Sequence, residues 1–512
     1  MSLTFSITKL SMATREKIAK ELEIDINEDA TPKKFFISKF SKKPKKFMYP
    51  YYISGDKISL PMAWALCNVE GAARPIRKEF SQTSYAYRAT LRPEQKIIKK
   101  EALLNLNKRG TVVISAYPGF GKTVTSINMA HRIGMRTLVL VNKVILIEQW
   151  INAVESFTNL KNKQGVIKIN PPSKAQRESP TKMKKWMANI ESASIMVMNA
   201  LNVRKLPDGL LDDIGCLIVD ECHQLMSPCL SEALLHIHPR YVIALSATPY
   251  RSDGLNKLLD IYFSKQKLVR ELKKAHTVYE VRTGFKPTAD LTDQGRLDWN
   301  GLLNSQSQNE ARNNMILDAT IELSKTRTIL ILTKRVDQAV YLETKLKEKG
   351  VQVDGLYGTK KTFNKEVSVL VGTASKIGVG FDHKMLDCLI LASDIEAYFI
   401  QFLGRVFRRE DVEPIILDFV DTNPTIRKHF RTRKAVYLKH GGKVITVNAG
   451  SSVVDVIKTK KYRMGSKVLY KNKDTAIIKA IHTDDPNGTY YTISFQNGRE
   501  RQTIEKNLKL IK

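Results

Sequence analysis

The sequence predicts an α/β protein with two tandem lobes built on parallel sheets, an α+β segment before them and a small β-barrel-like module after them. Three observations carry that prediction. From about residue 90, the runs TVVISAY, TLVLVN, SIMVMN, CLIVD and YVIALS alternate with helix-length stretches. Continuous β-branched runs without polar alternation are what strands covered on both faces of a parallel sheet require. A second set, TILILT, VQVDGLY, VSVLVGT, CLILAS and PIILDF, repeats the texture from about residue 325 to residue 420. Beyond Gly450 the runs GSKVLYK, TAIIKAIHTD, YYTISFQNGR and ERQTIEKN are short and alternating, with turn signals at Asp485-Pro-Asn-Gly488 and Asn497-Gly498. Alternation with tight turns predicts antiparallel strands curled into a small barrel.

The elements follow in chain order. Around Arg15–Ile24 the pattern is that of an amphipathic helix, and a cluster of seven lysines without an acid runs from Lys33 to Lys46. Such a cluster is more often a solvated surface or an address than a specific site. The stretch MYPYYISGDKISLPMAWAL reads as strands around a Gly-Asp turn. The expected division is an accessory domain over 1–88, a first lobe over 89–270, a second over 271–445, a linker over 446–462 and a basic β module over 463–512. A chain of 512 residues is long enough for about three or four domains.

Composition excludes several classes. Apolar residues at 43% and charged residues at 26% are ordinary for a globular protein and rule out wholesale disorder. No run approaches the ~18 apolar residues of a membrane span. The opening MSLTFSITKLSMATREK lacks the layout of a secretory signal, so a soluble, intracellular protein is expected. Five cysteines, Cys67, Cys216, Cys222, Cys229 and Cys388, include no C-x-x-C pair and predict neither a disulfide framework nor zinc. The net charge is +32, and residues 422–512 alone carry 20 basic against 6 acidic side chains. A field of that sign favours polyanions, nucleic acid before anionic membrane.

Two motifs carry chemistry. TVVISAYPGFGKTVTSINMA runs strand, glycine loop, helix. In the candidate nucleotide loop Ala116, Tyr117, Pro118, Gly119, Phe120, Gly121, Lys122 and Thr123, Gly119 and Gly121 let backbone N–H groups turn inward around phosphate oxygens, which the positive helix end also attracts. Lys122 would reach the β- and γ-phosphates, and Thr123 would supply a Mg²⁺ ligand. Ala116 stands where the strict pattern has its first glycine. The second motif, GCLIVDECHQL, delivers Asp220 and Glu221 to the carboxyl end of an apolar strand, where open α/β sheets place their ligands. One carboxylate there can hold Mg²⁺ while its neighbour orients the attacking water. An Asp-Glu pair can also simply cap a helix, but the glycine loop 98 residues earlier favours the metal reading.

With these residues in view, the chain resembles the superfamily-two nucleic-acid helicases of the D-E-x-H type over roughly residues 90–440. Asp220-Glu221-Cys222-His223 is similar to the family's second motif, and Ser246-Ala247-Thr248 to the motif that couples ATP state to nucleic-acid grip. In VLVGTASKIGVGFD, Gly380 and Asp382 match positions near the nucleotide, and Thr373 a strand-phosphate position. Gln401-Phe-Leu-Gly404-Arg405-Val-Phe-Arg408 matches the sixth motif. Gln95 in LRPEQ resembles an adenine-reading glutamine, Lys143 in VLVNKVILIEQW a nucleic-acid contact, and ILILTKRVDQA the fourth motif.

The resemblance implies two RecA-like lobes, ATP and Mg²⁺ as cofactors, and a nucleic-acid partner, DNA rather than RNA. Arg405 and Arg408 would serve as fingers for the γ-phosphoryl charge, both reaching it from a loop-to-helix segment, with Gln401 beside them. Gln401 in place of His, together with ATPYRSDG, looks most like the XPB-type branch, within which the transcript-release DNA helicases of poxviruses and other large DNA viruses are similar in size. A viral member would work with transcription machinery in host cytoplasm or virion, and a cellular one in the nucleus. The C-terminal strand pattern resembles SH3- or Tudor-like barrels. An RNA helicase, a duplex translocase that never separates strands, and a non-hydrolysing nucleic-acid scaffold are the competing readings. Intact Lys122, Glu221, Arg405 and Arg408 argue against the last.

Overall fold

The computed structural model describes residues 1–25, 47–247, 256–288, 290–293, 295, 297–360, 362–378, 381, 383–395, 399–458, 465–482 and 490–511. The Lys33–Lys46 cluster, the turn at 485–488 and three expected site residues, Thr248, Gly380 and Asp382, lie outside them. The chain divides into two compact units, Met1–Glu271 and Leu272–Lys512.

In the first unit all the strands of an eight-stranded sheet run parallel. Their order is Lys267–Arg270, Thr111–Ala116, Tyr241–Ser246, Cys216–Val219, Thr137–Val141, Ile195–Asn199, Gly165–Lys168, Lys161–Asn162. The five expected apolar runs form adjacent strands in its middle, and every residue of those strands is buried. Burial on both faces is why their sequences do not alternate. The strands the sequence did not reveal are the short ones at the two edges.

The N-terminal segment forms a three-stranded antiparallel sheet in the order Ser2–Ser6, Lys57–Pro61, Tyr52–Ser54, turning at Gly55 with φ 57°. The tail of the expected strand stretch is instead a helix, Met62–Asn68. Met, Ala and Leu favour helix once Pro61 has ended the strand. This segment shares its core with the first lobe, where Leu60, Met62 and Trp64 join Leu138, Leu217 and Phe263 in one cluster.

The second unit holds a seven-stranded parallel sheet in the order Val353–Leu356, Val369–Thr373, Ile329–Thr333, Cys388–Leu391, Ile415–Val420, His276–Arg282, Gly442–Val447. The last two were not anticipated. Glu280 disguises the inner one, because its carboxylate is buried but accepts hydrogen bonds from Arg282 Nε at 2.9 Å and Thr446 Oγ1 at 3.0 Å. At the carboxyl end of this sheet, the fully buried Arg312 donates to Asp421 at 2.9 Å. Arg433 bridges Asp418 and Asp394 at 2.8 and 2.7 Å. Buried charges persist only where they are paired in this way.

Residues 446–462, expected as a linker, include the end of the Gly442–Val447 strand and a helix, Val453–Lys458. Val453 and Ile457 are buried against the second sheet. The last module is a five-stranded antiparallel sheet in the order Glu500–Ile504, Tyr490–Phe495, Asp474–His482, Lys467–Tyr470, Leu508–Leu510. Its two edge strands are joined by one 3₁₀ turn, Glu505–Asn507. Three residues span at most about 10 Å, so the edges must lie close and the sheet curls towards a barrel. Tyr470 and Tyr491 fill its core with Val468, Ile478 and Ile493.

Candidate active site

The parallel order of the first sheet sends the ends of Thr111–Ala116, Cys216–Val219 and Tyr241–Ser246 to one edge, and the chemistry-bearing residues follow those ends. Beyond Ala116 the glycine loop turns through Gly119 and Gly121, at φ 88° and 89°, into the helix Lys122–Ile133. Only glycine adopts such angles without strain. A Cβ on Gly121 would also sit 2.3 Å from Gln95 Nε2. Lys122 Nζ donates to the Ala116 carbonyl at 2.8 Å, which holds the ammonium at the loop's own rim.

Gln95, expected to read a base, is buried and strapped to the loop. Its Nε2 donates to the Phe120 carbonyl at 2.7 Å, and its Oε1 accepts from the Arg92 N–H at 2.8 Å. Arg92 also donates to the carbonyls of Phe120 and Gly119. Sequence reasoning missed Arg92, although it directly precedes Pro93 in the motif that drew attention to Gln95. The loop's shape is thus set by the helix Pro93–Arg109 and the residue ahead of it.

Asp220 and Glu221 leave the strand Cys216–Val219 in two different ways. Asp220 Oδ2 accepts from Trp150 Nε1 at 2.8 Å, and its Oδ1 from the Glu221 N–H at 3.0 Å. Burial, then the neighbouring Glu221 charge, push the Asp220 carboxyl up to about 6, while Trp150 and Lys122 pull the other way. Trp150 was another residue the sequence gave no reason to single out. Glu221 sits in the left-handed region at φ 47° and ψ 51°. For a residue with a Cβ this costs roughly 1–2 kcal/mol, and it turns the carboxylate towards His223, 3.5 Å from Nδ1. His223 Nδ1 in turn meets Ser246 Oγ at 2.8 Å. The Ala247 N–H also points at Glu221 Oε2, at 3.5 Å. A chain of contacts therefore joins Glu221 to the exit of the Tyr241–Ser246 strand, where Ser246-Ala247 was expected to couple. Cys222 is buried and its thiol pushed well up by desolvation, so it is packing. Lys143 is exposed just beyond the strand Thr137–Val141, beside exposed Val144 and Ile145.

The second unit places its expected residues on a separate edge. Gln401 is buried in the helix Phe399–Val406 and Arg405 lies in that helix's last turn, with Nη1 donating to the Phe381 carbonyl at 2.6 Å. Arg408 lies past the helix end. The segment thus runs helix-to-loop, the reverse of the loop-to-helix order expected, because Phe402, Leu403 and Val406 bury an apolar helical face first. Arg409, one residue on, is held by Asp387 at 3.2 Å and by Asp411, and is structural. Thr373 ends the strand Val369–Thr373 and is only 3% exposed, with its hydroxyl 3.3 Å from Ser375 Oγ. The exposed neighbour on that turn is Ser375.

No group of three or more His, Cys, Asp or Glu side chains among the described residues is arranged to hold a metal. Mg²⁺ takes one or two carboxylates and completes its shell with water and substrate phosphates, and the Asp220 carboxyl, close enough to Lys122 to feel its charge, is a donor of that kind. No helix among the described residues is long and apolar enough to cross a membrane.

A glycine loop leading into a helix, an Asp-Glu pair on the next strand but one, and a second parallel sheet with Arg405 and Arg408 after it fit a nucleic-acid-dependent ATPase of superfamily two. Comparison with known proteins agrees. The family described as "Type III restriction enzyme, res subunit" matches residues 88–251. The chain is 39% identical over 389 residues to "Putative helicase 161L" of Invertebrate iridescent virus 6, covering 72% of this chain and 85% of that one. It is 25% identical over 440 residues to "Putative ATP-dependent RNA helicase L396" of Acanthamoeba polyphaga mimivirus, covering 81% of each. It is 26% identical over 366 residues to "Transcript termination protein OPG145" of Monkeypox virus, covering 63% of this chain and 69% of that one. The chain belongs to the family of superfamily-two viral helicases represented by the iridescent virus protein.

Gly121→Ala should lower affinity for a fluorescent ATP analogue at least tenfold, because its Cβ meets Gln95 Nε2 and its φ becomes strained. Unchanged affinity in that titration would show that the loop does not hold phosphate.

Proposed function

We propose that this chain is a DNA helicase or translocase that hydrolyses Mg-ATP through Lys122, Glu221, Arg405 and Arg408, in the branch of superfamily two that resembles XPB. The observation that carries the reading is the linked set Asp220, Glu221, His223 and Ser246 at the same sheet edge as the glycine loop. The loop's backbone and Lys122 bind the phosphates, and Gln95 and Arg92 keep the loop in shape. Asp220 and Thr123 would hold Mg²⁺, which when bound neutralises the phosphate oxygens. Glu221 orients the attacking water and accepts its proton. His223 passes the state of Glu221 to Ser246, and so to the segment that leads towards Thr248. Arg405 and Arg408 act on the charge developing at the γ-phosphoryl group, where such a finger is worth about 10³–10⁵ in rate. Lys143 and the turn after Thr373 take strand phosphates, one from each lobe.

The similarity to a poxvirus transcript termination protein supports a role in viral transcription. The mimivirus relative, described as an RNA helicase, supports an RNA substrate as the second reading. We also propose the division into an accessory domain over 1–88, lobes over 89–270 and 271–445, and a β module over 463–512 as an added nucleic-acid grip.

Lys122→Ala and Glu221→Gln should each cut nucleic-acid-stimulated ATPase more than tenfold while leaving the thermal midpoint in place. Arg405→Ala should lose turnover far more than ATP affinity, since its charge matters as the phosphoryl group departs. A stimulated rate kept within a factor of a few by either first-lobe variant contradicts the assignment.

The raised Asp220 carboxyl adds a pH dependence. Its protonated fraction grows as pH falls through about 6, and a protonated carboxyl is a poor ligand for Mg²⁺. At limiting Mg²⁺ the ATPase should therefore show an acid limb near that pH. Added Mg²⁺ competes with the proton and should move the limb lower. A limb that stays put across a hundredfold range of Mg²⁺ rules Asp220 out as the ligand.

A further inference from the structure

A cavity of about 310 Å³ opens in the second unit, and none of the residues that line it has been discussed so far as a nucleotide contact. It lies where the strands Ile415–Val420 and His276–Arg282 end side by side, with Val420 and Arg282 in register. The helix Pro424–Lys439 forms its wall and contributes Arg427, Arg431 and Lys434. Their spacing, i, i+4 and i+7, puts all three on one face of the helix. Arg282 adds a fourth positive charge, and Glu280 is the single acid. Glu280 is already engaged by Arg282, Thr446 and, at 3.8 Å, Lys434. Among the described residues, the guanidinium groups of Arg427 and Arg431 make no hydrogen bond or ion pair, and both are exposed. An ordinary solvated helix face mixes its signs, but this helix holds six Lys and Arg and no Asp or Glu. Its opposite side is fixed, because Arg433 is buried in bonds to Asp418 and Asp394. Glu280 thus answers Arg282 and Lys434, while Arg427 and Arg431 stand on the same face without a counter-charge among the described residues.

We infer that this cavity is a phosphate-binding subsite that takes the phosphodiester backbone of the nucleic-acid strand. The inference rests on the proposed nucleic-acid-dependent activity and names a contact for it. The cavity shares the carboxyl edge of the parallel sheet with Thr373, so a strand tracking along that edge passes both. Phe430 lines it but is buried under Arg433 and Lys434, so it has no open face for stacking a base. The site reads charge and spacing, not sequence.

The test is fluorescence anisotropy of the full chain with a labelled single-stranded DNA oligonucleotide across a salt series. Arg427→Ala with Arg431→Ala should weaken binding at least fivefold at ~100 mM salt. It should also flatten log affinity against log salt by about 1–1.5 units, at ~0.7 per single-strand phosphate contact. ATPase measured without nucleic acid should be unchanged. Lys428→Ala with Lys439→Ala removes the same charge from the same helix outside the cavity, and should leave the slope close to that of the unaltered protein. A full slope in the Arg427/Arg431 variant, or an equal loss in the Lys428/Lys439 control, overturns the inference. Because anisotropy reads binding without turnover, the result does not depend on whether Lys122 and Glu221 hydrolyse ATP.

Discussion

Burial of both faces of two parallel sheets is the constraint on which the rest of this structure depends. A strand with helices on both sides has no surface left for chemistry along its length, so polar groups that act must stand at its end. In the first unit the ends of three adjacent strands supply the glycine loop, the Asp-Glu pair and the Ser246 link. The spacing of those groups is thus a property of strand register, which the buried parallel sheet holds in place. Local strain is affordable against that background. Glu221 occupies a left-handed conformation between its strand and the 3₁₀ turn that follows.

The two units handle buried charge differently. The first leaves Asp220 under-compensated, with one indole and one backbone donor against desolvation and a neighbouring carboxylate. A carboxylate in that position gains most from an incoming cation. The second unit closes its charges into pairs: Arg312 with Asp421, Arg433 with Asp418 and Asp394, and Arg327 and Arg409 with Asp387. Those pairs add rigidity, and they explain how one helix can be clamped on its inner side while its outer side stays basic.

Much of this was legible in the sequence, for physical reasons that also mark where legibility stopped. The five central strands of the first sheet showed because double burial removes polar alternation, and YVIALS matched its strand end to end. His276–Arg282 did not show, because Glu280 breaks the apolar run, and one of the partners that satisfy its buried carboxylate, Thr446, is distant in sequence. MAWAL was misread as strand because its apolar residues suit either state and tertiary context chose helix. At the site, Lys122, Asp220 and Glu221 were visible through spacing. Trp150 and Arg92 were not, since a residue that shapes a site through hydrogen bonds to residues distant in the chain leaves no local pattern. Gln95 was noticed for a base contact, but in this structure both ends of its amide are bonded to backbone.

The central claim is that hydrolysis at the first sheet's edge answers to nucleic acid. The most direct measurement is the ATPase rate of the full chain titrated separately with single-stranded DNA, duplex DNA and RNA at ~100 mM salt. The account predicts a saturable rise of at least tenfold with one of the DNA forms, a barrier lowered by about 1.4 kcal/mol or more, and a smaller rise with RNA. A rate that stays flat across all three titrations would contradict it.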